Sequence, residues 1–225
     1  MNTKNKLVAS AAINFINGAL SFIVLVWLII EANVAVTEFT STADIFKYFT
    51  VQSNVISGAV SIAFAVYAVM LIKGKISEIP GLLYILRLLA TTSVSLTMIT
   101  VLVYLGPLFG YVFMLSRYNF FYHLLLPLLA IVSFLFFDIT DKISFKQTFI
   151  ALSHFGVYAI VYLSLVLTHI EDGSVPAAYD WYSFTYLGIN AAFIIAAILL
   201  VVTYAIAFGL WKVNAVVYKK QKPAV

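Results

Sequence analysis

Six apolar runs, at about 7–30, 48–72, 82–104, 120–137, 148–168 and 187–210, divide this chain and leave few choices of fold. Each is near or above the roughly 20 residues that carry an α-helix across a bilayer. Backbone amides and carbonyls inside lipid must be paired within the protein, so runs of this length cross as helices. Composition agrees: 64% of the 225 residues are hydrophobic and 10% are charged, against about 25% charged in soluble domains. The expected fold is all-α, a polytopic membrane protein whose residues 1–225 form a single domain, a bundle of six transmembrane helices. The first run is too long for a signal-peptide core and is expected to remain as a span.

An even number of spans puts both termini on one side of the membrane, and charge selects the side. Of the 13 Lys+Arg residues, only Lys47 and Arg117 fall in the loops opposite the termini. Those same loops carry Glu31, Glu38, Asp44, Glu171, Asp172 and Asp180. By the positive-inside rule both termini are cytoplasmic. The net charge of +4 is thereby accounted for, and no nucleic-acid partner is expected. The chain has no Cys, which excludes disulfide frameworks, thiol nucleophiles and Cys-based metal sites. Small size, the lack of Cys and the lack of an Asn-X-Ser/Thr sequon favour a bacterial plasma membrane.

Thr50, Asn54, Ser57 and Ser61 recur at i, i+4, i+7 and i+11 in the second run, which is one face of a helix. Polar side chains at membrane depth are costly unless they face a bundle interior or a wet cavity. This face is therefore expected to point inward, with Thr50 at its outer mouth. The second and fourth helices both descend from the outer surface, so Thr50 and His123 are expected at matching depth, about 3–6 Å down at 1.5 Å per residue. A hydroxyl beside an imidazole is the pair a nucleophilic hydrolase needs: the ring takes the proton and the oxygen attacks an acyl carbon. Gln52, Asn54 and Asn119 are candidates to bind substrate or donate hydrogen bonds to the developing oxyanion. Asp180 or Asp172, in the acidic loop before the sixth run, is the candidate to orient His123. The competing reading makes Thr50 a cap or packing residue and His123 a ring bonded to a carbonyl.

Other features read as structural. Asn14, Asn17, Gly18 and Ser21 share one face of the first helix, a pattern of close helix contact. Arg87 is expected to snorkel to the near interface. Gly106 and Pro107 are expected to end the third helix. His154 opens the fifth run from the cytoplasmic side and is expected roughly a bilayer away from Thr50. No Asp or Glu lies within a run, so carboxylate-coupled transport is disfavoured. No metal or other cofactor is expected.

The phrase F-K-Y-F-T-V-Q-S-N opening the second run, followed by N-F-F-Y-H-L-L-L-P at the start of the fourth, resembles the androgen-induced protein family of multispan membrane proteins and its bacterial relatives. The resemblance covers the six-span plan over most of the chain. It implies a threonine hydrolase that cleaves fatty acyl esters, with the nucleophile at Thr50 and the base at His123, and a membrane lipid or fatty acyl ester as substrate. The alternative function is a non-enzymatic membrane protein that binds or transports a small amphiphile.

Overall fold

A computed structural model of the chain describes residues 3–34 and 42–221. Glu38 in the first loop and Lys222 in the tail, both used in the charge argument, lie outside the described residues. Six helices are long and apolar enough to cross a membrane: α1 (Lys4–Asn33), α2 (Phe49–Ile72), α3 (Gly81–Phe109), α4 (Arg117–Phe136), α5 (Phe145–Thr168) and α6 (Ile189–Gln221). They form one bundle of a polytopic all-α membrane protein. Lys6 Nζ donates to Gln221 Oε1 at 2.6 Å, so the starts of α1 and the end of α6 meet at one end of it.

Helix α3 is the central element, packed against α2, α4 and α6. Its stretch from Ala90 to Thr97 is buried throughout. Ser93, Ser95 and Thr97 return their hydroxyls to the carbonyls four residues back, at 3.0, 2.7 and 3.4 Å. These three hydroxyls are therefore partnered within their own helix, whereas the buried Thr91 and Thr92 hydroxyls of the same stretch have no partner among the described residues. Helices α1 and α2 cross closely because glycines face each other. A Cβ on Gly58 would sit 2.7 Å from Ser21 Cβ, and one on Gly18 would sit 2.9 Å from the Gly58 carbonyl oxygen. At that crossing Ser21 Oγ donates to Asn54 O at 2.7 Å, and Asn17 Nδ2 reaches Leu126 O of α4 at 3.0 Å. The Asn14–Ser21 face thus packs as its spacing implied.

Arg87 does not snorkel. It is fully buried, with Nε and Nη2 donating to Asp138 Oδ2 at 3.2 and 2.9 Å and Nη1 donating to Ser61 Oγ at 2.8 Å. Asp138 lies just past the apolar run of α4, but it folds back inside the bundle. There it also accepts from Ser10 Oγ at 2.5 Å, Ser133 Oγ at 2.8 Å and Asn14 Nδ2 at 3.1 Å. Two charges leave water tolerably only when paired and fully hydrogen-bonded, and donors from α1, α3 and α4 meet that condition here. The bundle therefore holds an internal carboxylate, contrary to the sequence expectation.

Pro107 does not end α3, which continues to Phe109. Instead, widened π turns occupy Val101–Leu105 in α3 and Phe121–Leu125 in α4. Pro107 and Pro127 lie two residues beyond them. A proline lacks an N–H and crowds the carbonyl four residues back, here Val103 and His123, and a π turn absorbs both effects. Helix α5 opens with eight residues of 3-10 helix, Phe145–Leu152, capped reciprocally by Ser144 and Gln147.

Candidate functional site

A cavity of about 290 Å³ opens at the end of the bundle away from the Lys6–Gln221 contact, between the start of α2, the end of α3, the start of α4 and the loop that precedes α6. Thr50, Asn119, His123 and Tyr182 are among its walls. Two of the residues singled out from sequence as a reacting pair thus line one space. The inward stripe on α2 leads to it: Asn54, Ser57 and Ser61 are buried below, and Thr50 is half-buried at the mouth.

Thr50 is the second residue of α2. Ser53, one turn on, is tied to Thr97 Oγ1 at 3.0 Å, whereas the Thr50 hydroxyl has no such tie among the described residues. The first amides of a helix have no intrahelical partner and carry the positive end of its dipole. At α2 the Phe49 N–H donates to the Tyr182 hydroxyl oxygen at 3.0 Å. Tyr158 and Trp181 brace this arrangement. The Tyr158 hydroxyl donates to Lys47 O at 2.8 Å and accepts from Trp181 Nε1 at 3.0 Å. Burial pushes the Tyr182 phenol up to about 12, so at neutral pH its oxygen is a hydroxyl and not a phenolate.

His123 sits in the π turn of α4, buried to 6% exposure. Its Nδ1 lies 2.6 Å from the Met114 carbonyl oxygen. A carbonyl only accepts, so the neutral ring carries its proton on Nδ1 and keeps a lone pair on Nε2. Met114 belongs to the short turn Tyr111–Met114 between α3 and α4. A backbone carbonyl, which has no signature in sequence, holds the ring that Asp180 or Asp172 was expected to hold.

The remaining candidates separate into wall and frame. Asn119 lines the cavity, with Nδ2 reaching Phe113 O at 3.4 Å. Asn54 commits its amide group to Thr50 O at 2.8 Å and Tyr122 O at 3.1 Å, which ties α2 to α4 one turn below Thr50 and His123. Gln52 Nε2 donates to Phe46 O at 2.7 Å and pins the preceding loop. Asp180 is buried and accepts from the Thr185 hydroxyl at 2.6 Å, the Phe184 and Thr185 amides at 2.9 Å, and the Tyr162 hydroxyl. None of these partners is His123. Burial alone would raise the Asp180 carboxyl, but these hydrogen bonds outweigh it and hold the group below the usual carboxylate range. Asp180 thereby builds the turn that carries Trp181 and Tyr182 over the cavity.

His154 is not a bilayer away. Its ring stacks on Phe49 with centroids 4.7 Å apart, and its Nδ1 lies 3.0 Å from Ser93 Oγ. Eight residues of 3-10 helix rise about 2.0 Å each instead of 1.5 Å, which lifts His154 by roughly 4 Å over an α-helical count. A second, narrower slot of about 40 Å³ runs from Thr50 between α3, α5 and α6, walled by Leu96, Val101, Phe155, Phe184 and Leu199. Thr50 and Tyr182 border both spaces. On the other flank Arg117 pairs with Glu31, which also accepts from Trp27 Nε1 at 2.7 Å, so the start of α4 is fixed to the end of α1.

Sequence reasoning passed over Tyr182 and the π turns. Pro107 and Pro127 signal the latter, since each marks a disturbed carbonyl four residues earlier. Among the described residues no group of three or more His, Cys, Asp or Glu is placed to hold a metal ion. No family model, curated protein or solved structure matches the chain.

Proposed function

We propose that this chain is a membrane-embedded hydrolase of fatty acyl esters, with Thr50 as nucleophile and His123 as general base. The observation that carries the reading is the shared cavity, which brings an untethered threonine hydroxyl and an imidazole with a free Nε2 lone pair to one space. The resemblance to the androgen-induced protein family, whose site residues fall on these two positions, supports the same reading.

The chemistry follows from the geometry. The Thr50 oxygen adds to the ester carbonyl carbon while its proton passes to His123 Nε2. The carbonyl π pair moves to oxygen, and the Phe49 and Thr50 amides are suited to hold that oxyanion once Tyr182 yields its place. Collapse of the adduct expels the alcohol, which takes the proton from His123. Water then gives a proton to the same ring, attacks the acyl-threonine, and releases the fatty acid as the proton returns to Thr50. The larger cavity, about 290 Å³ and walled in part by Leu105, Phe109 and Phe113, suits an acyl segment entering from the lipid. Charge distribution supports both termini being cytoplasmic and the site lying near the outer leaflet, and the small size, the lack of Cys and the lack of an Asn-X-Ser/Thr sequon favour a bacterial plasma membrane.

The test is turnover of a long-chain fatty acyl ester by the purified protein in micelles. Thr50→Ala should fall to background while its thermal stability stays within about 1 kcal/mol of the parent. His123→Gln should lose on the order of a hundredfold or more. Undiminished turnover by Thr50→Ala would reject this chemistry and leave the cavity as a binding site for an amphiphile.

A further inference from the structure

The outward face of α1 and α2 carries a groove of about 430 Å³, remote from Thr50, on the half of the bundle that holds the termini. Three alanines, Ala11, Ala12 and Ala65, form its floor, and Phe15 and Val66 stand exposed beside it. Lys73 and Lys75 close its end. The way α2 stops puts both lysines there. Lys73 N donates to Val69 O at 3.0 Å, Gly74 N to Leu71 O at 3.1 Å, and Lys75 N to Met70 O at 2.9 Å. Gly74 takes a φ of +67°, the left-handed conformation that turns the chain back on itself. Lys75 therefore returns beside Met70 and does not run off into the loop.

Neither lysine has an acidic partner among the described residues, and Glu78 in the same connection is held by Lys142 Nζ at 2.7 Å. From Val66 to Lys73 is seven residues, about 10 Å along the helix axis. An apolar channel of that length ending in two unneutralised cations matches an acyl chain joined to a phosphate. We propose that this groove binds one anionic phospholipid of the inner leaflet, its acyl chain along the alanines and its phosphate between Lys73 and Lys75. A zwitterionic lipid would satisfy the apolar floor but gains less from the paired cations.

The experiment measures lipid retained by the full chain in native mass spectrometry, with phosphatidylglycerol, phosphatidylcholine or inorganic phosphate added to the micelles. The parent should keep one phosphatidylglycerol in preference to phosphatidylcholine. Lys73→Gln/Lys75→Gln should lower that preference by about tenfold. Ala12→Trp, at an exposed position on the groove, should reduce retention of both lipids. Equal retention of the two lipids by the parent, or phosphatidylglycerol retention untouched by both variants, would overturn the proposal. So would a stable dimer that the Ala12 substitution dissolves, or inorganic phosphate displacing the lipid completely. None of these readouts depends on ester turnover.

Discussion

Replacing Asp138 with Asn keeps the outline of the side chain and removes its charge, leaving the Arg87 guanidinium facing a neutral amide with no water to take over. Both side chains are fully buried, so solvent does not screen the loss. Removing one partner of a buried pair typically costs about 3–5 kcal/mol, because the other charge is left uncompensated. For a chain of this length about 2–4 °C of Tm accompanies each kcal/mol, giving a fall of roughly 6–20 °C. Thermal unfolding in detergent, followed by the helical circular dichroism band, reads this directly. The double substitution Arg87→Met/Asp138→Leu removes both charges together and should be less destabilised than either single change. An Asp138→Asn variant within about 1 kcal/mol of the parent, or a double variant matching the sum of the singles, would refute the ion pair as the centre that joins α1, α3 and α4.

Gly58→Leu should cost about 1–3 kcal/mol or more by overpacking, since a Cβ there already meets Ser21 at 2.7 Å; the monodisperse yield on size exclusion reads the loss. Asn54→Leu should lower ester turnover more than it lowers stability, because it cuts the tie between α2 and α4 below the cavity; equal turnover at equal Tm would contradict that role. The Asp180 carboxyl is held below its usual range, so its stabilisation is present above the unfolded value of ~3.9 and is lost as pH falls through the lower folded value. Hydrogen exchange at 180–185 should thus stay slow from neutral pH to about 4 and quicken only in stronger acid, with loosening near neutrality the contrary result. A cysteine at Glu171 should react with an impermeant maleimide in intact cells, whereas cysteines at Lys146 and Lys219 should not; the reverse pattern would invert the membrane orientation.

The bundle was legible because span length and the cost of bare backbone in lipid act on every residue of a run at once. The inward stripe of α2 was legible for the same reason, as was the face of α1 that meets it. Pairings across helices were not. Arg87 and Asp138 are 51 residues apart in sequence, and Asp138 falls just outside an apolar run, so nothing local marks it as buried. His154 was misplaced chiefly because its helix starts at Phe145, before the apolar run, and because Phe49 reaches down from the start of α2 to stack on it; the 3-10 rise adds only about 4 Å. The Met114 carbonyl that orients His123 is a backbone atom available on any residue, while the Tyr182 oxygen on the Phe49 amide depends on how a loop closes. Asp180 lies in the turn before α6 that borders the cavity, but hydrogen-bond capacity within its own turn consumes its carboxylate before it can reach the imidazole.

The most direct test of the Thr50 and His123 assignment is covalent labelling of the purified protein by a fluorophosphonate bearing a long alkyl chain, with the adduct mapped by peptide mass spectrometry. One adduct on Thr50 is expected, absent in Thr50→Ala, slowed by about a hundredfold in His123→Gln, and suppressed by a competing fatty acyl ester. An adduct on any other hydroxyl, or labelling that survives Thr50→Ala at the parent rate, would contradict it.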